Sequence, residues 1–104
     1  MKLLTTMDFP GKEYEVIDLV FHSTVKARNV ISKMGSAFKS TFGGSIGGVE
    51  KLYISLREEV IAGLKEAAAK AGADAVIGVR FDVSEMGAIE AVGMTAYGTM
   101  IKFK

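Results

Sequence analysis

The segment Glu13 to Lys26, EYEVIDLVFHSTVK, constrains this chain most. It is rich in Val, Ile, Phe, Tyr and Thr and reads as one β-strand, longer than most. Alternation puts Ile17, Leu19, Phe21 and Val25 on one face. Tyr14, Val16 and Val20 fall on the other, mixed with Asp18 and His22. A strand that shows one face to water carries polar residues there. Here both faces are largely apolar, so both require cover. With 104 residues the chain suits a single domain, residues 1–104, with one modest core.

The remaining elements do not supply that cover. Lys2 to Thr6 reads as a short strand, followed by a turn at Asp8-Phe9-Pro10-Gly11-Lys12. Asn29 is an N-cap for a first helix, with Val30, Met34, Phe38 and Thr41/Phe42 at helical spacing and Gly43 as its C′ residue. A second helix runs from Val49 to Ala71. Its stripe is Val49, Leu52, Tyr53, Leu56, Val60, Leu64, Ala67 and Ala71, and Gly72 ends it. Ala73 to Val83, ADAVIGVRFDV, alternates clearly and gives the strongest strand signal. The last strand covers Val92 to Phe103. Val92, Met94, Ala96 and Met100 share one face, and Tyr97, Ile101 and Phe103 the other.

This order predicts an α+β fold, β-β-α-α-β-β, with helices on one side of a mainly antiparallel sheet. The free sheet face needs a partner, and a second copy of the chain is the economical one. Ile54 and Ile61 lie off the helix stripe, seven residues apart and one above the other. They are either ordinary exposed isoleucines or part of a second contact surface; the strands favour the latter. The expected oligomer interface is therefore Tyr14, Val16, Val20, Ile54 and Ile61.

VKARNV, FGGS with Glu50 shortly after, AGADAVIGVRFDV and the terminal MTAYGTMIKFK together resemble the YbjQ-like family. These are small, mostly bacterial proteins of unknown function that often carry a heavy-metal-binding label. The resemblance spans Thr5 to Phe103. It implies a dodecin-subunit-like fold assembled as a ring-like homopentamer, and it carries over no catalytic residues. The family usually has an Arg after the paired glycines and Tyr-Glu opening the second helix. Ser45 and Val49 stand at those places here, and only Glu50 is kept.

Composition narrows the chemistry. Thirteen Lys and Arg against twelve Asp and Glu leave a net charge of +1, so no global field draws nucleic acid or an anionic membrane. There is no cysteine, hence no disulfide framework and no thiolate metal site. No apolar run reaches membrane-spanning length, and the first residues lack a signal-peptide core. We expect a cytoplasmic protein.

The sole histidine, His22, is the candidate metal ligand. Asp18, four residues away on an extended strand, stands about 13 Å off, too far to share an ion. Asp82 or Glu85 on another strand are the alternative partners, as are copies of His22 around an oligomer axis. Otherwise His22 is an ordinary hydrogen-bonded histidine. No GxSxG elbow is present, and the adjacent Glu58 and Glu59 face different sides of a helix, so the chain is not expected to be an enzyme. No cofactor is expected, a metal ion excepted.

FGGSIGG, Phe42 to Gly48, has Walker-like glycine spacing, but Val49 and Glu50 follow where Lys and Ser/Thr belong. It reads as a turn between two helices. Between Lys26 and Val49 the chain has Lys26, Arg28, Lys33 and Lys39 and no acid. A weak site for a small anionic ligand would use Lys26, Arg28, Gly43, Gly44 and Ser45. Nucleic acid is not expected, because no aromatic platform or reading motif accompanies these cations.

Overall fold

The structure, a computed structural model, describes residues 1–27, 45–86 and 91–104, with the backbone alone at 45–49 and 86. The described elements are β1 (Lys2–Leu3), β2 (Tyr14–Ala27), α1 (Ser45–Lys70), β3 (Ala75–Met86) and β4 (Ala91–Phe103). The expected helix from Asn29 to Phe42 lies outside the described residues.

The strands form one mixed sheet in the order β1-β3-β4-β2. β4 is antiparallel to both β2 and β3, whereas β1 runs parallel to β3. The expected Lys2–Thr6 strand is thus shorter and parallel. Its continuation still bonds to β3: Gly78 donates to Thr6 O (2.7 Å) and Val79 to Leu4 O (2.9 Å).

α1 lies across β2 and β4 on one sheet face. Leu52, Leu56, Val60, Leu64 and Ala68 meet Val20 of β2, Val76 and Val79 of β3, and Val92, Met94, Ala96 and Met100 of β4. The β4 faces are as the alternation predicts. Leu56, Val60, Leu64, Val76, Ala96 and Ile101 are fully buried. α1 ends at Lys70; just beyond it the φ of +80° at Gly72 suits the left-handed C′ position, and the Gly72 N–H donates to Ala69 O (3.0 Å).

Two further features differ from the sequence reading. α1 begins at Ser45, so the last four residues of FGGSIGG, Ser45 to Gly48, are helical and are not an inter-helix turn. Each helical glycine costs about 1 kcal/mol relative to alanine, which a 26-residue helix anchored by its later turns tolerates. The other difference is a register shift in β2 between Val16 and Asp18. The extra residue, Ile17, moves Val16 off Val20's face and onto that of Leu19 and Phe21. A second irregularity in β3, between Ile77 and Arg80, lies opposite Gly98, where a Cβ would stand 2.7 Å from Val76 Cγ1 and 2.9 Å from Ile77 O.

Candidate functional site

The sheet face away from α1 divides in two. At the end holding both chain termini, Ala75, Ile77 and Ile101 are buried beneath Phe9, Tyr14 and Phe103. Phe9 meets Phe103 edge-on at 4.9 Å between ring centroids, and Lys12 Nζ stands 5.2 Å from the Phe103 ring centre. Tyr14 OH donates to Asp8 Oδ1 at 2.7 Å and ties the turn to β2. That bond raises the Tyr14 pKa above the ordinary tyrosine value.

On the other half of this face, no described element covers β2. Val16, Leu19, Phe21 and Val25 form a row along β2 and are 57–64% exposed. Phe21 pairs across the ladder with Tyr97 of β4, also exposed. Ser23 and Thr95 share a hydroxyl hydrogen bond at 2.7 Å beside them. β2 is an edge strand, with only β4 paired to it among the described residues. Leu19 N turns outward to Asp18 Oδ1 (2.7 Å) rather than to a strand, so by the ladder's two-residue period Phe21, Ser23 and Val25 present outward backbone groups too. A long apolar edge strand of this kind is a template for pairing with another chain.

On the opposite face, β2 meets α1 through polar side chains. Lys26 Nζ pairs with Glu59 Oε1 at 2.9 Å and donates to Ser55 Oγ, and Thr24 Oγ1 donates to Glu59 Oε2 at 2.9 Å. The hydrogen bond from Lys26, then that from Thr24, holds the Glu59 carboxyl below its usual range. Tyr53 OH reaches Glu85 Oε1 at 2.6 Å on the other flank of the helix.

Of the expected interface residues, Tyr14 and Val16 lie on the helix-free face, Ile54 is exposed on α1 and Ile61 is half-buried. Val20 is buried under the helix, so it belongs to the core and is not a surface residue. Leu19, Phe21 and Val25 share a face as the alternation predicts, whereas Ile17, expected with them, is the extra residue at the register shift. Thr24 and Lys26 alternate with Leu19, Phe21 and Val25 and find partners on the helix.

Of the expected anion ligands, Lys26 is committed to Glu59. Ser45 is in the helix, and Arg28, Gly43 and Gly44 lie outside the described residues. His22 lies against α1: a Cβ at Gly63 would be 2.2 Å from its ring. β4 separates β2 from β3, and His22 pairs with Ala96, so it does not meet Asp82 or Glu85 across neighbouring strands. No three His, Asp or Glu residues cluster among the described residues, so those of one chain do not fit a metal centre. No helix among them is long and apolar enough to cross a membrane.

A family model described as "Putative heavy-metal-binding" matches residues 1–104. The chain is 43% identical to a UPF0145 protein of Limosilactobacillus fermentum, over 99% of this chain and 91% of that one. It is 42% identical to a UPF0145 protein of Lacticaseibacillus casei, over 97% and 93%. A crystal structure from Pediococcus pentosaceus, of a protein of unknown function in the DUF74 family, shares the fold. Its TM-score is 0.68 at 20% identity, covering 98% of this chain and 96% of that one.

Proposed function

This chain belongs to the YbjQ-like family of UPF0145 proteins, and from that membership we propose that it is a self-associating, non-catalytic protein of the cytoplasm. Its copies form a dodecin-like homo-oligomeric ring, a pentamer as the sequence resemblance implies, with a structural or small-ligand-binding role. One observation carries this reading: Val16, Leu19, Phe21 and Val25 stand exposed along an edge strand. Single exposed apolar residues need no explanation, but a row of them along a sheet-edge strand marks an interaction surface. Light scattering at micromolar concentration tests it. The expected mass is close to five times the 11.1 kDa chain mass. A monodisperse monomer would contradict the reading.

The family description favours a second reading, a metal ion held between subunits. It needs donors from more than one copy, since the described residues of a single chain bring no three together. Elemental analysis of untagged protein tests it. Metal well below one equivalent per oligomer, with no uptake on titration, excludes it.

A further inference from the structure

Among the described residues, the sheet has two free edges of different character. The outer edge of β2 has no described strand beside it. β3 is covered by the N-terminal segment only as far as Val79, the last residue bonded to it through the backbone, with Arg80 Nη1 closing that stretch on Thr5 O at 2.8 Å. Beyond this, Phe81 and Val83 are exposed at the β3 edge.

We infer that the outer edge of β2 in one copy pairs in parallel with the free end of β3, from residue 81 onward, in the next copy, making the sheet continuous from subunit to subunit. This rests on the ring reading above and names the surfaces that build the ring. Strand direction fits. β2 and β3 are both antiparallel to β4 and so parallel to each other. Rotation about an axis along the strands preserves that sense in the neighbour.

Height fits as well. Val25 and Ser84 both pair with Gly93, and Lys26 and Glu85 both pair with Val92, so the free part of β3 stands level with the second half of β2. Like charges are kept apart: Asp82 comes level with Ser23, whereas Glu15 and Asp18 lie at the other end of β2, away from the free part of β3. A contact between two different patches generates a ring, whereas β2 pairing with its own copy would close at two subunits and leave the β3 edge bare.

Disulfide trapping tests this, because the chain has no cysteine of its own. Strands paired at about 4.8 Å fall within the Cα separation a disulfide spans. Val25→Cys would be combined with Ser84→Cys, and separately with Asp82→Cys to sample a neighbouring register. Native mass spectrometry before oxidation reports assembly. The expected result is an oligomer that at least one pair converts into a covalent ladder ending at the full ring, while each single-cysteine variant stays uncrosslinked. Covalent dimers from Val25→Cys alone would overturn the inference in favour of β2 self-pairing. An intact oligomer with no ladder from either pair would overturn the inference and leave the ring reading standing. A monomer of the unsubstituted chain would overturn both.

Discussion

The His22 ring packs against Gly63, so close that a Cβ at residue 63 would stand 2.2 Å from both Cδ2 and Nε2. The absent side chain lets β2 and α1 approach where a histidine fills the gap. Gly63→Ala should destabilise the protein by about 1–3 kcal/mol through overpacking, despite the helix propensity alanine adds. In a His22→Ala background the sign should reverse, with Gly63→Ala gaining about 1 kcal/mol. Urea unfolding of the four variants checks the cycle; equal effects in both backgrounds would show that the two residues do not oppose each other.

Glu59 is held ionised by Lys26 and Thr24 at the same strand–helix seam. A depressed carboxyl pKa stabilises the fold above the unfolded value, and that contribution is lost as pH falls through the folded value. Because Glu59 is half exposed, the effect is small. Glu59→Gln should cost about 0–1 kcal/mol at neutral pH, less in high salt, and nothing once both states are protonated. Denaturant midpoints measured from pH 7 downward check this. A difference that grows in acid would contradict it.

Tyr14 titrates above the ordinary tyrosine value because its hydroxyl donates to Asp8 Oδ1. A raised pKa gives stability that is present below the unfolded value and is lost as pH rises through the folded one. Asp8→Asn should bring the Tyr14 transition down towards the ordinary value in an ultraviolet pH titration, with Tyr53 and Tyr97 as internal controls. No change would show that the bond does not persist in solution.

The long elements were legible because their periods are strong. β2, β4 and the α1 stripe from Leu52 to Leu64 lie where alternation and helical spacing put them. Local exceptions to a period were not. Ile17 looks like any strand residue, yet as the extra residue of a bulge it transfers Tyr14 and Val16 to the other face. The start of α1 at Ser45 was hidden because two glycines read as a break. β3 runs on to Met86 because β4 pairs with it to that point, a long-range bond invisible in local pattern. That β2 carries apolar residues on both faces was readable. Which residues face the helix was not, since that depends on Lys26 and Thr24 reaching Glu59 from a distant part of the chain.

Whether the exposed β2 row holds copies together is decided by native mass spectrometry of the untagged chain beside Phe21→Glu. Phe21 is 64% exposed, so the charge does not enter the core of one chain; at a subunit contact it would be buried unpaired, at a cost of several kcal/mol. The unsubstituted chain should give a defined oligomer, with five subunits expected, and Phe21→Glu a folded monomer with unchanged circular dichroism. A monomeric unsubstituted chain, or an oligomer equally stable with Glu at position 21, would contradict a contact through the β2 row.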